Sequence, residues 1–250
     1  MTGQPRAILF DLFGTLLYFD VRRLPPPGLE GGFATATVAN LEEILSRLEP
    51  AIDREGFSRI LEATSRGLAR EKSVTHREVS SPERFRRAIV AAGLDGDIDR
   101  AATEMSAAHM AALAAAVDYG RDRARLLQRL QGRFRLGLVS NFDHGPTARR
   151  ILERARIAHL FESVVISDDV GVRKPSPDIF QHALVRLGES AEHCMFVGDD
   201  YRADVGGATE AGLRAVWIDR GDQPGFPAET KLADIDELPG WLGLPPEPGS

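Results

Sequence analysis

Near its start the chain carries an unbroken apolar run, Ile8-Leu9-Phe10, that stops at a carboxylate, Asp11, and turns at Gly14. A short ungapped run of this kind suits a strand buried on both faces, as in a parallel sheet. From about Thr35 to Val117 the period changes. Val38, Leu41, Ile44, Leu45 and Leu48 recur at helical spacing, as do Phe57, Ile60, Leu61, Thr64 and Leu68. Phe85, Ile89 and Val90 follow the turn signal Ser80-Ser81-Pro82, and the Ala-rich stretch from Asp99 to Ala116 gives a fourth helix. Between strand and helices, Arg22-Arg23-Leu24-Pro25-Pro26-Pro27-Gly28 and Gly31-Gly32 read as a linker, because consecutive prolines stop helix and strand alike.

Beyond Gly120 helices and strands alternate. The pattern predicts a helix over Arg121–Leu130 and a strand over Phe134–Val139 ending at Ser140-Asn141. A helix over Pro146–Arg156 and a strand over Val164–Ser167 follow. Next come a helix over Pro177–Leu187, a strand over Cys194–Val197 ending at Gly198-Asp199-Asp200, and a helix over Arg202–Ala211 closed by Gly212. Ala215–Ile218 is the last strand, Gly221–Glu229 reads as loop, and Pro245–Ser250 as a loose tail. Alternation of this kind implies an α/β fold, a doubly wound parallel sheet with helices on both faces. Residues 1–18 and 118–250 would form that core, and 19–117 a linker and inserted helical domain.

Composition narrows the function. A net charge of −6 with no block of basic residues argues against a nucleic-acid partner. Cys194 is the single cysteine, so no intrachain disulfide forms, and its apolar setting predicts a buried, inert thiol. The first residues lack the pattern of a signal peptide, and Ala107–Val117 is too short to span a bilayer. The expectation is a cytoplasmic protein without membrane attachment. The Ala-rich helix suits either core burial or packing against a second copy, which makes a homodimer a candidate.

Candidate chemistry lies at the strand ends. Asp11, Ser140-Asn141, Lys174 and Asp199-Asp200 with Asp204 all fall just after strands or in the loops that follow. In a parallel sheet the carboxyl ends face one side, so these groups can converge. Clustered carboxylates repel unless a cation neutralises them, and hard oxygen ligands favour Mg²⁺. Lys174 would balance charge on nucleophile and substrate, while Ser140 and the Asn141 backbone N–H would hold oxyanions. The implied substrate is small and anionic. Asp199 could instead cap a helix, Lys174 sit in solvent, and Ser140-Asn141 form a plain turn.

These stretches resemble the four motifs of the haloacid dehalogenase (HAD) superfamily, in order. They are Asp11-Leu12-Phe13-Gly14-Thr15, Leu138-Val139-Ser140-Asn141, Gly171-Val172-Arg173-Lys174-Pro175, and Gly198-Asp199-Asp200-Tyr201-Arg202-Ala203-Asp204. The resemblance implies a Rossmann-like core with a C1-type cap inserted behind the first strand, and the cap as governor of substrate choice. It implies that Asp11 is the nucleophile, that Asp11, the carbonyl of Phe13 and Asp199 hold Mg²⁺, and that Ser140, Asn141 and Lys174 bind phosphate. Thr15, Asp200 and Asp204 would lie in an outer shell. One position departs from the family's phosphatases. Where they usually carry a second Asp that protonates the leaving group, this chain has Phe13, and a phenyl ring transfers no proton.

Three readings follow from that departure. The favoured one is a phosphohydrolase for a small phosphorylated metabolite, acting on good leaving groups or borrowing a donor such as His76 or His144. The second is a metal-independent 2-haloacid dehalogenase, whose first motif also carries an aromatic here, with Arg22 or Arg23 clamping a substrate carboxylate. The third is a feeble or non-catalytic member that binds phosphate or a partner. The Gly198-Asp199 carboxylate favours the first, because dehalogenases typically lack it. The basic run Arg66, Arg70, Lys72, His76 and Arg77 could attract an anion or merely line a solvated helix face.

Overall fold

The computed structural model describes residues 4–24, 36–120, 122–221 and 230–246. The predicted linker around Pro25–Gly32, the loop at residues 222–229, Arg121 and the tail from residue 247 lie outside them. The chain divides into two compact units, Met1–Tyr18 with Asp118–Ser250, and Phe19–Val117.

The first unit is built on six parallel strands. They are β1 (Ala7–Phe10), β4 (Arg135–Ser140), β5 (Ser163–Ile166), β6 (Cys194–Gly198), β7 (Arg214–Ile218) and β8 (Lys231–Leu232), and they lie in the order β5-β4-β1-β6-β7-β8. The remaining strands, β2 (Tyr18–Phe19) and β3 (Val117–Asp118), pair with each other. Every residue of β1 is fully buried, as its ungapped apolar sequence requires. Phe10 pairs with Leu138 of β4 on one side and Val197 of β6 on the other. The strand order therefore reverses direction at β1, and the crevice beyond its carboxyl end is the place where open α/β sheets bind ligands.

One face of the sheet packs on the helix Pro177–Leu187. Ser176 caps its start, and Gly188, with φ +62°, ends it in the left-handed region that glycine favours. Ile179, Phe180, Ala183, Leu184 and Leu187 pack against Leu9, Val139, Val165 and Phe196, and the Phe180 and Phe196 rings meet edge-on at 5.1 Å. At roughly 1.5–3 kcal/mol per large buried side chain, this face anchors the floor of the crevice. Cys194 is buried in the same cluster.

The described residues of the second unit include four α-helices, Leu41–Leu45, Arg54–Thr75, Ser81–Ala91 and Ile98–Ala116. Its core joins Leu41, Ile44, Phe57, Leu61, Phe85, Ile89 and Met105. The Ala-rich helix buries Ala101, Ala102 and Met105 in this core, so core packing accounts for part of its composition. No described helix is long and apolar enough to cross a membrane.

Several details differ from the sequence-based expectation. Val90 is exposed, because it falls one position past the buried stripe of its helix. The first of the four helices spans only five residues. The stretch predicted as one helix after β6 begins as a π-helical turn, Tyr201–Gly206, before the α-turn Gly207–Glu210. Short elements escaped prediction, among them the helical turn Ser167–Val170 and the edge strand β8.

Candidate active site

Asp11 directly follows β1, and its N–H donates to Val197 O at 2.9 Å, which extends the ladder by one bond and fixes the carboxylate at the crevice. Lys174 arrives from the loop after the Ser167–Val170 turn. Its ammonium lies 2.5 Å from Asp11 Oδ1 and 2.6 Å from Asp204 Oδ1, with the Phe196 ring 5.1 Å away. The lysine side chain is only 2% exposed. Asn141 holds it there: Nδ2 donates to Lys174 O at 3.0 Å, and Oδ1 accepts from Lys174 N at 2.8 Å. The Asn141 side chain is thus spent on fixing the lysine loop, which leaves only its main chain for the oxyanion contact expected of it.

Asp199 follows β6. Thr15 Oγ1 donates to its Oδ1 at 3.1 Å, and Trp217 Nε1 donates to its backbone O at 2.9 Å. Gly14 has φ +96°, and a Cβ there would lie 2.2 Å from Asp199 Oδ2. Glycine is therefore required at position 14 twice over, by backbone conformation and by the approach of the carboxylate. Gly198 is needed for a similar reason, since its Cβ would lie 2.3 Å from Asp204 Oδ2.

Asp200 and Asp204, both expected in an outer shell, have different placements. Asp200 is exposed and caps the π-helical turn, accepting from the N–H groups of Arg202 and Ala203. The helix-capping role considered for Asp199 belongs to its neighbour. Asp204 is buried, accepts from Asp200 N at 3.0 Å and faces the crevice. Asp11, Asp199 and Asp204 each bring one carboxylate oxygen to within 4.8 Å of the others. The G-D-x-x-x-x-D spacing carried this signal, because one wide helical turn returns Asp204 beneath Asp199.

The electrostatics follow from this crowding. Burial pushes the Asp11 carboxyl up to about 8; Asp204 and Asp199 add to the rise, and Lys174 opposes it. Burial, reinforced by Asp204, lifts Asp199 to about 6. Burial also works against the Lys174 ammonium, but Asp11 and Asp204 outweigh it and hold its pKa above the ordinary lysine value. Three carboxylates and one ammonium leave an excess of two negative charges, with oxygen the only donor atom among the carboxylates. That donor set fits a hard divalent cation such as Mg²⁺. Ser140 Oγ, at the end of β4, is buried and has no hydrogen-bond partner among the described residues, a hydroxyl suited to an incoming oxygen.

The Phe13 ring packs on Phe142 at 5.1 Å with a 40° tilt, and Ser167 Oγ pins the main chain of Phe142. His144, considered as a proton donor, caps the helix Gly145–Arg154 through Nδ1, which accepts from Thr147 N at 3.3 Å. Burial holds its pKa below the ordinary histidine value, which disfavours the protonated form a donor would need. In the other unit, His76 ends the helix Arg54–Thr75 in the left-handed conformation. Arg22 and Arg23 both pair with Asp20, and Lys72 pairs with Glu78 at 2.5 Å. Sequence reasoning passed over Tyr18, Trp217 and Arg220, each of which donates to a main-chain oxygen.

A family model described as haloacid dehalogenase-like hydrolase matches residues 5–212. The chain is 30% identical over 218 residues to a glyceraldehyde 3-phosphate phosphatase of Methanopyrus kandleri, covering 86% of this chain and 84% of that one. It is 42% identical over 93 residues to a phosphoserine phosphatase of Thermus thermophilus; that match spans 36% of this chain and only 37% of the phosphatase. Among solved structures, a 2-haloacid dehalogenase from Pseudomonas syringae aligns with a TM-score of 0.67 and 25% identity, over 96% of this chain and 99% of that one.

Proposed function

The chain belongs to the haloacid dehalogenase-like hydrolases, and from that premise we propose that it hydrolyses a small phosphorylated metabolite with Asp11 as nucleophile and Mg²⁺ as cofactor. The observation that carries this reading is the cluster of Asp11, Asp199 and Asp204 around one ammonium. Asp11, Asp199 and the carbonyl of Phe13 would hold the ion, with Asp204 at its edge and Thr15 steadying Asp199. When bound, it neutralises carboxylate and phosphate charge and polarises the phosphoryl group.

Lys174 and the Ser140 hydroxyl bind the phosphoryl oxygens, with the Asn141 N–H beside them. Asp11 attacks phosphorus; a P–O bond forms to its carboxylate, and the bond to the leaving oxygen breaks with its electron pair. Water then attacks the aspartyl phosphate, releasing inorganic phosphate and restoring the carboxylate. Phe13 supplies no proton to the leaving oxygen, so the proton comes from solvent or the leaving group departs as an anion. Good leaving groups, such as the carboxylate of an acyl phosphate, are accordingly the preferred substrates. The helical unit Phe19–Val117 we read as the family's inserted cap, the unit that selects among them.

The test is phosphate release from acetyl phosphate and p-nitrophenyl phosphate, with Mg²⁺ and with EDTA, in the wild type and in Asp11→Asn. Mg²⁺-dependent release that vanishes in the variant is expected; full activity in Asp11→Asn removes Asp11 as nucleophile. One observation favours a second reading, carbon–halogen hydrolysis: the Phe13–Phe142 aromatic pair beside the nucleophile, where a departing halide needs no proton. Chloride release from 2-chloropropionate in EDTA, without phosphate release, would establish it.

A further inference from the structure

We propose that Arg220 and Tyr18 are positioning residues that hold the turn after Asp11 in its metal-binding shape; this rests on the reading of the site as a Mg²⁺ centre. The turn runs from Leu12 to Leu17 and is secured through its main-chain oxygens. Leu12 O accepts from the N–H groups of Leu16 and Leu17, at 2.9 and 2.8 Å, and Leu17 O accepts from Gly14 N at 2.8 Å. Three of the intervening oxygens are taken by side chains, that of Leu16 by Arg123 Nε at 3.1 Å. Arg220 Nη2 donates to Gly14 O and also to the Tyr18 hydroxyl, which in turn donates to Thr15 O at 2.9 Å. The guanidinium lies 4.4 Å from the centre of the Tyr18 ring. One closed arrangement thus clamps consecutive carbonyls at positions 14 and 15.

Those positions flank the chemistry. Residue 13 precedes the clamp and offers the proposed carbonyl ligand, and Thr15 carries the hydroxyl that bonds Asp199 Oδ1. Rotating the Gly14 peptide would move both together. Arg220 is itself fixed from behind: Asp219 N donates to Leu232 O of β8 at 2.9 Å, and Asp219 also pairs with Lys231. The edge strand that escaped prediction thereby gains a role in the site. A guanidinium suits the task because its planar fork serves two acceptors while stacking on a ring.

Charge makes the test decisive. A cation near a Mg²⁺ site weakens metal binding by repulsion, so removing Arg220 would tighten binding if its charge were all that mattered. Positioning predicts the opposite sign. Partners that orient ligands typically contribute 10–100-fold to metal affinity. We expect Arg220→Met and Tyr18→Phe each to weaken Mg²⁺ binding about tenfold by calorimetric titration of the full chain, with melting in EDTA little changed. Tyr18→Phe alters no charge and keeps the ring, which guards against misfolding of the other variant. Unchanged or tighter binding in both variants overturns the proposal and leaves the metal site standing. A wild type that binds no Mg²⁺ overturns the reading beneath it.

Discussion

Replacing Lys174 by methionine keeps the length of the side chain and removes the ammonium that bridges Asp11 and Asp204. The pair is buried, so the loss is not screened by solvent. Removing one partner of a buried ion pair typically costs about 3–5 kcal/mol, because the remaining charge is left uncompensated. For a chain of this size each kcal/mol shifts Tm by about 2–4 °C, which gives a fall of about 6–20 °C without metal. The sign of the pH dependence follows from the carboxylates. Asp11 and Asp199 titrate near 8 and 6 in the folded chain, above their ordinary value of 3.8. Loss of Lys174 raises both further, so at acid pH the carboxyls are protonated and the penalty shrinks; at alkaline pH it is largest. Both tryptophans, Trp217 and Trp241, lie in the unit that holds the site, so their fluorescence follows its unfolding alone. Melts in EDTA at about pH 6 and about pH 9 test the slope, and added Mg²⁺ should recover part of the loss at the higher pH. A variant that melts within about 2 °C of wild type at about pH 9, or that suffers more at acid pH, refutes the charge balance argued here.

Two further outcomes follow from the same geometry. In the metal-free wild type, the folded chain binds more protons than the unfolded chain between about pH 4 and about pH 8, so stability should fall as pH rises through that window. Asp11→Asn should therefore melt above wild type at about pH 9 in EDTA and converge with it below about pH 4; parallel curves would contradict the raised pKa. Gly14→Ala places a Cβ 2.2 Å from Asp199 Oδ2 at a φ of +96°. It should cost about 1–3 kcal/mol in backbone strain and weaken Mg²⁺ binding at least about tenfold, and normal metal affinity in calorimetry would show that Asp199 does not need its observed position.

The sequence made the core legible wherever a physical signal was local. The ungapped run before Asp11, the Ser176 cap and Gly188 stop around Pro177–Leu187, and the polar groups at the strand ends all act over a few residues. Their alternation then brings the strand ends to one side of the sheet. What stayed hidden depends on pairing across the chain. Lys231-Leu232 is too short to show alternation and is a strand only because β7 supplies its partners. Arg220 bonds a main-chain oxygen about two hundred residues earlier, and a carbonyl leaves no mark in a sequence. The Asn141 side chain carried no legible role, since its partner is the main chain of Lys174, more than thirty residues on. The approach of Asp204 to Asp199 was not legible because a regular α-helix does not point the fifth residue after Asp199 back at it, whereas the π-helical turn lets it face the crevice.

The placement of Asp204 also weighs on the choice between phosphoryl and halide chemistry. Metal-free halide displacement needs Asp11 ionised and unencumbered at neutral pH. Here two further carboxylates crowd it, and burial with their charge lifts its carboxyl to about 8. Lys174 neutralises only one unit of charge among the three. A site built to act without a cation gains nothing from Asp199 and Asp204, since each makes the nucleophile more basic and more often protonated. With a divalent ion in place the same two residues become assets, one as a ligand and the other as the counter-charge that holds Lys174 beside the phosphoryl oxygens. Phe13 removes proton delivery without disturbing that balance, because its contribution to metal binding would come from the main chain. On the proposed mechanism the aromatic substitution would restrict which leaving groups can depart, while the carboxylates favour phosphorus as the centre attacked.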